Sequence, residues 1–308
     1  MKSASQAAHQ LISELRPGQS IELLKELHIL TREGKLNQDT RRKLKQVYHL
    51  YQFIEPLLND VVQDVLEAKP AFTLADHGAG KSYLGFILYD LFFNVAHASK
   101  AGQPAAGHAT GQVAGHIYGI EARGELVEKS QALAARLGFE RMSFLNLSVQ
   151  AATASAELPS RIDIVTALHA CDTATDDAIA FGLAKQAKHL VLVPCCQAEV
   201  ASVLKASRAL NLSRTPLAEL WRHPLHTREF GSQITNVLRC LQLEASGYTV
   251  TVTELVGWEH SMKNELILAS QPAAPNHAKT KAAQLRLHQV LAELGLKNLA
   301  ERFAYLNV

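Results

Sequence analysis

The sequence predicts an α/β fold, a doubly wound, mostly parallel seven-stranded sheet with helical regions at both ends of the chain. Three observations support this prediction. Apolar strand-like runs and amphipathic helical runs alternate five times between about residues 71 and 210, as in parallel sheets covered by helices. The first strand-like run ends in a tight turn that contains two glycines. The last two strand-like runs, 248–256 and 265–269, are separated by a short loop, which predicts an antiparallel hairpin.

Residues 1–68 are predicted to form a separate helical region, because apolar residues recur there at helical spacing. The segment from Lys25 to Lys45 is locally basic, and such an excess of positive charge could bind a phosphate backbone or simply form a solvated helix face. It holds seven basic residues, Lys25, Arg32, Lys35, Arg41, Arg42, Lys43 and Lys45, against three acids, Glu26, Glu33 and Asp39.

The stretch Thr73–Ser82 is predicted to contain a strand, a tight turn and the start of a helix. Its ending, Gly-Lys-Ser, is typical of a phosphate-binding loop, but that motif needs glycine at the position of Ala75. The alternative is the acid–glycine turn, D/E-x-G-x-G, that lies against the methionine end of S-adenosylmethionine (SAM). Either ligand would use the free N–H groups of the helix start. The predicted cofactor-binding residues of the turn are Asp76, His77, Gly78, Gly80 and Lys81.

Two further positions are predicted to contact a nucleoside. Glu121 ends the second predicted strand, His116–Glu121, where a carboxylate can accept hydrogen bonds from both ribose hydroxyls. Ser148 lies near the end of the third, Met142–Val149, and is placed to approach an adenine ring. An NAD site would use the same glycine turn and acid, so these features alone leave dinucleotide binding open.

Reacting groups are expected at the carboxyl ends of the fourth and fifth strands, as in other open α/β sheets. After the fourth strand, His169 could act as a base and Asp172 as the carboxylate that orients it, and His169 is also predicted to contact the cofactor. Asp172 could equally begin the next helix, because aspartate is favoured at that position. After the hairpin's first strand, a polar loop could shape an acceptor pocket through Glu259, His260, Lys263 and Asn264.

The four cysteines have neither disulfide-framework nor zinc-ribbon spacing. Cys195 and Cys196 follow the fifth strand and could provide a nucleophile, or could pack as buried thiols. Cys171, Cys195 and Cys196 could also share a zinc ion with His169. The main expectation, however, is that the protein has no metal centre.

Several motifs together resemble a bacterial branch of class I SAM-dependent methyltransferases that is similar to the methyltransferase-like 25 proteins. Two of them also look like the tRNA 2′-O-methyltransferases of the Trm13 type. The resemblance covers about residues 71 to 270 and implies a Rossmann-like fold, SAM as cofactor, and His77 beside the sulfonium. It favours RNA, tRNA or rRNA, as the acceptor; a protein side chain and a non-catalytic SAM- or nucleotide-binding module remain alternatives. The motifs are Asp76-x-Gly78-x-Gly80-Lys81, His169-x-Cys171-x-x-Ala174-Thr175-Asp176, Pro194-Cys195-Cys196 and Glu259-His260-Ser261-x-Lys263-Asn264.

The domain organisation expected from these patterns is a helical region over 1–68, a methyltransferase domain over 69–271, and a linker with a C-terminal helix over 272–308. A net charge of +2 is too small to require a nucleic-acid partner by itself. The N-terminus lacks a signal pattern and no apolar run reaches about 18 residues, so we expect a cytoplasmic protein without a membrane partner. The sequence does not indicate an oligomeric state.

Overall fold

The structure is a computed structural model that describes residues 14–16, 18–67, 71–94, 115–168, 172–194, 197–207, 214–255 and 264–306. Seven strands form one sheet: β1 (Phe72–His77), β2 (Gly115–Glu121), β3 (Met142–Asn146), β4 (Ile164–Leu168), β5 (His189–Val193), β6 (Thr249–Glu254) and β7 (Glu265–Ser270). Their order in the sheet is β3-β2-β1-β4-β5-β7-β6. Strand β1 pairs parallel with β2, β2 pairs parallel with β3, and β4 pairs parallel with β5. Strand β7 pairs antiparallel with both β5 and β6. The predicted doubly wound sheet with a closing hairpin is therefore confirmed.

The chain divides into two compact units, the first comprising residues 1–148 with 255–260 and the second 149–254 with 261–308. The elements of the first unit are α1 (Ile21–Glu26), α2 (Gln38–Glu67), β1 (Phe72–His77), α3 (Tyr83–Tyr89, continued by a π-helix over Asp90–Asn94), β2 (Gly115–Glu121), α4 (Gly124–Leu137) and β3 (Met142–Asn146).

The N-terminal helices pack within this first unit. The hydroxyl of Ser20 caps α1 by accepting from the N–H of Leu23, while the N–H of Ser20 donates to the buried carboxylate of Asp90 at 3.0 Å. The spacing of apolar residues predicts a helix from about Ser20 to Leu30, but α1 ends at Glu26, because His28 adopts a left-handed backbone with φ 54° that a helix cannot contain.

The elements of the second unit are α5 (Val149–Ala154), β4 (Ile164–Leu168), α6 (Thr173–Ala184), β5 (His189–Val193), α7 (Glu199–Ser207), a 3₁₀ helix (Pro216–Trp221), α8 (Pro224–Ala245), β6 (Thr249–Glu254), β7 (Glu265–Ser270), α9 (His277–Glu293) and a second 3₁₀ helix (Lys297–Leu299). Every residue of β5 is buried, as expected for a parallel strand covered on both faces. The C-terminal helix α9 packs into the core of this unit through Leu287 and Leu291.

The predicted end of the third strand was wrong. The third strand was predicted to reach Val149, but β3 ends at Asn146 and Val149 begins a short alanine-rich helix, α5. Alanine favours helix, so the local propensity of residues 149–154 outweighs the apolar run that suggested a strand. Among the described helices, none combines the length and apolar character needed to cross a bilayer.

Candidate functional site

The turn after β1 is held in a fixed shape by its backbone. Gly78 and Gly80 have φ values of 65° and 58°, which side-chain-bearing residues rarely adopt. The N–H of Ala79 donates to the carbonyl of Ile120 at 3.0 Å, and this bond ties the turn to β2. The first candidate motif is thus a preformed glycine turn beside the end of the second strand.

Asp76 lies at the end of β1, immediately before this turn, and is buried with 2% of its surface exposed. The hydroxyl of Ser82 donates to its Oδ2 at 3.3 Å, and Ser82 itself is buried with φ 49°. The side chain of Asp76 therefore points into the protein beneath the turn.

Glu121 ends β2, and its carboxylate gathers four hydrogen bonds. Oε2 accepts from the N–H of Gly80 at 2.8 Å and from Nη2 of Arg123 at 3.2 Å. Oε1 accepts from the backbone N–H of Arg123 at 3.0 Å and from its Nε at 2.9 Å. Burial acts to raise the pKa of the Glu121 carboxyl, but the bonds from Arg123 and Gly80 outweigh it and hold the pKa below its usual value. The residue is an anion near neutral pH.

Asn146, at the end of β3, fixes the loop that follows Glu121. Its Nδ2 donates to the carbonyls of Glu121 at 3.1 Å and Ala122 at 2.9 Å. Neither Asn146 nor Arg123 was predicted from the sequence. Asn146 ends β3 and Arg123 lies just beyond the end of β2, and these positions at the ends of parallel strands were the signal that could have identified both residues.

The other predicted cofactor residues differ in their surroundings. His77 is buried at the end of β1, and burial lowers its pKa to about 4 despite the opposing charge of Glu121, so its ring is neutral at pH 7. Lys81 is exposed. Ser148 is exposed too, and lies two residues beyond the end of β3.

In the second unit, Asp172 follows β4 with an unusual backbone, φ 50° and ψ −121°. Its Oδ1 accepts from the N–H groups of Ala198 and Glu199, at 2.9 and 3.3 Å. The carboxylate therefore caps the start of α7, not the start of its own helix α6. Strained backbone of this kind persists only where surrounding contacts hold it, and it is frequent at active sites.

A buried polar network on α8 and β7 fixes the segment that contains Asp172 and Asp176. Arg239, on α8, is fully buried and pairs with Asp176 through Nε–Oδ1 at 2.6 Å and Nη2–Oδ2 at 3.0 Å. Its Nη2 also donates to the backbone carbonyl of Asp172 at 2.8 Å, and its Nη1 donates to Oδ1 of Asn236 at 3.1 Å. Asn236 in turn donates to Glu265 on β7 at 2.8 Å. Asp176, in the first turn of α6, is thus tied to α8 through Arg239.

Several candidates lie outside the described residues. They are His169, Cys171, Cys195, Cys196, Glu259, His260 and Lys263. Within the described ranges, no group of three or more histidine, cysteine, aspartate or glutamate side chains could hold a metal ion. The remaining cysteine, Cys240, has its pKa raised to about 12 by burial, which makes it an unreactive thiol.

A family model described as a methyltransferase domain matches residues 42–203, more than half of the chain. The chain belongs to this methyltransferase family. The matched span includes the glycine turn, Glu121 and the segment after β4. A search of curated proteins gave no match.

Among solved structures, this methyltransferase is similar to magnesium protoporphyrin IX methyltransferase from Synechocystis PCC 6803 with bound S-adenosylhomocysteine (SAH). The two are 14% identical, with 82% of this chain and 93% of that chain covered and a TM-score of 0.42. It is also similar to an rRNA methylase from Streptococcus thermophilus, with 10% identity, coverage of 66% and 87%, and a TM-score of 0.37. Such distant similarities transfer no acceptor to this chain.

The protein is a SAM-dependent methyltransferase, and the turn after β1 fits that cofactor. A Cβ built on Gly80 would have Nη2 of Arg123, at 3.8 Å, as its nearest described neighbour, so a ligand can approach the backbone there. The carboxylate of Glu121 lies beside this open space. SAM supplies an activated methyl group when it is bound, and the expectation that Asp76, His77, Gly78, Gly80 and Glu121 hold it stays a prediction.

Proposed function

We propose that this methyltransferase acts on RNA, with tRNA or rRNA as the acceptor. Two features support the proposal: the motifs after β4 and β5, which resemble those of tRNA 2′-O-methyltransferases, and a group of basic side chains at the end of α1 and on the turn that follows it. The second feature carries the argument, because RNA affinity depends on basic groups that can neutralise phosphates.

The basic group is built on a tight turn, Thr31–Lys35, which we call the basic turn. The N–H of Thr31 donates to the carbonyl of Lys35 at 3.0 Å, and the N–H of Gly34 donates to the carbonyl of Thr31 at 2.8 Å. Arg32 and Lys35 are both exposed on it. The turn therefore presents two positive side chains from a backbone that is already ordered.

A third positive charge lies beside the basic turn. The Cε atom of Lys25 is only 3.1 Å from the position that a Cβ on Gly34 would occupy, so the lysine side chain packs along the turn. Glu33 is the one acid within the turn. Lys25, Arg32 and Lys35 thus give this small surface a net positive charge.

The other basic residues of the predicted segment are partly neutralised. Arg41 pairs with Glu14 at 2.7 Å, and Arg42 and Lys43 both pair with Asp39, at 2.9 and 3.1 Å. Exposed pairs of this kind contribute little to stability, so a phosphate can compete for their cations. The basic turn nevertheless offers the better starting point for testing RNA binding.

For the chemistry, we propose that His169, in the same sequence motif as Asp172, takes the proton of an acceptor hydroxyl or amine. Replacing a general base typically costs about 10²- to 10⁴-fold in rate, so His169→Ala should lose most turnover and keep SAH affinity. Cys195→Ser and Cys196→Ser should keep measurable turnover. A cysteine variant that binds SAH and RNA normally but is inactive would instead indicate a covalent route through that thiol.

The test of the acceptor class uses the full chain and labelled total tRNA. The triple variant K25Q/R32Q/K35Q should bind tRNA more weakly, and the slope of log affinity against log salt should fall by about two, since each phosphate contact contributes roughly 0.7 to 0.9. The matched control K279Q/K281Q/K297Q removes three exposed lysines elsewhere and should change neither quantity.

Equal tRNA affinity for the wild type and the triple variant, or no affinity for any RNA, would contradict the proposal and favour a protein acceptor. SAH titration of both triple variants checks that each remains folded. Mass spectrometry of total tRNA, rRNA and ribosomal proteins from a deletion strain then identifies the acceptor molecule.

A further inference from the structure

The acceptor capacity of the Glu121 carboxylate is already used within the protein. A carboxylate has two oxygens with about four lone-pair positions. Glu121 fills all four, with two backbone N–H groups, from Gly80 and Arg123, and with two guanidinium N–H groups of Arg123. A ribose diol that donates two hydrogen bonds to this carboxylate needs two of those positions.

We infer that the guanidinium of Arg123 occupies the ribose-binding positions of Glu121 and lowers cofactor affinity by competition. SAM then binds in exchange for an ion pair, not at a vacant carboxylate. Arg123 is therefore a residue that sets cofactor affinity in this protein. The inference concerns the cofactor alone and stands whether or not RNA is the acceptor.

The two kinds of donor on Glu121 differ in their freedom to leave. The N–H groups of Gly80 and Arg123 belong to the turn and to the loop before α4, which hydrogen bonds from Ala79 and Asn146 hold in place. The guanidinium is on a long side chain that is 64% exposed, whereas the side chain of Glu121 is only 9% exposed. The guanidinium is thus the donor that can move into solvent.

The position and surroundings of the guanidinium support the exchange. Its Nη2 is the nearest described atom to the open side of Gly80, so the group lies over the surface that a ligand must approach. Glu125, in the first turn of α4, interacts electrostatically with Arg123. A displaced guanidinium therefore keeps a nearby negative charge as well as water.

The expected effect is modest in size and unusual in direction. An exposed or half-exposed ion pair contributes little, so removing this competitor should tighten binding by about two- to fivefold. Salt screens the competing pair, so raising the ionic strength should tighten SAH binding to the wild type and leave the variant unchanged. Loss of an ordinary contact residue would instead weaken binding.

The experiment is isothermal titration of SAH into the full chain at low and high salt, for the wild type, Arg123→Gln and Arg136→Gln. Arg136 is a matched control, because its exposed side chain pairs with Glu22 and Glu26 elsewhere in the same unit. We expect tighter, salt-insensitive binding for R123Q and wild-type behaviour for R136Q. Equal affinity of R123Q and wild type, weaker binding by R123Q, or no SAH binding by either would overturn the inference.

Discussion

The buried pair between Arg239 and Asp176 provides the strongest stability prediction. The side chains are 0% and 4% exposed, and the arginine makes four hydrogen bonds to Asp176, Asn236 and the carbonyl of Asp172. Arg239→Met keeps much of the side-chain volume but leaves the Asp176 carboxylate buried without its cation. Breaking a buried pair in this way costs about 3–5 kcal/mol. That is a large part of the roughly 5–15 kcal/mol that stabilises a typical protein.

The assay is urea unfolding followed by both circular dichroism and tryptophan fluorescence, because coincident transitions of two probes are needed to establish two-state unfolding. The control is Arg228→Met on the same helix, α8, where the side chain is 60% exposed and pairs with Glu229. It should cost less than about 0.5 kcal/mol. The double variant D176L/R239M should recover most of the loss, since replacing both partners by apolar groups is often neutral.

A cost below about 1 kcal/mol for R239M, with an unchanged m-value, would refute this reasoning. So would a double variant that is less stable than R239M, because removing the unpaired carboxylate should relieve the destabilised state and not add to it.

Three further predictions follow from the first unit. Glu121→Gln should weaken SAH binding by roughly 1–3 kcal/mol in calorimetry, since a charged acceptor is lost, and unchanged affinity would contradict the assigned site. Lowering the pH from 6.5 to 4 should reduce the free energy of unfolding by up to the order of 3 kcal/mol through His77, because burial keeps its pKa in the folded protein at about 4 while the unfolded chain takes up the proton. The free energy of unfolding of His77→Gln should depend less steeply on pH, and an equal dependence for variant and wild type would contradict this. Gly119→Ala should cost about 1–3 kcal/mol in thermal unfolding, because its Cβ would lie 2.6 Å from Phe144 and 3.3 Å from the hydroxyl of Ser82, and an unchanged melting temperature would be evidence against that packing.

The fold could be predicted from the sequence because its elements are local patterns. Alternating apolar runs, two glycines in a turn and a short hairpin loop are each visible within about ten residues. The errors occurred at boundaries where a local conformation decides the outcome, such as the left-handed backbone of His28 that ends α1, and the helix that begins at Val149.

The site was only partly predictable, because its pairings connect distant residues. Glu121 could be recognised from its place at the end of a strand, but one of its four donors, the N–H of Gly80, comes from a turn 41 residues earlier that folds back onto it. The pair between Arg239 and Asp176 spans 63 residues, and nothing in the sequence links one arginine among many to that acid. Burial and hydrogen-bond partners of this kind require coordinates.

The assignment of the glycine turn and Glu121 to SAM is tested most directly by calorimetric titration of the full chain with SAH, with ATP and NAD in parallel. We predict a dissociation constant in the micromolar range for SAH, about −8 kcal/mol, and no comparable binding of the other two ligands. ATP or NAD binding without SAH binding would contradict the assignment of the glycine turn and Glu121 to SAM.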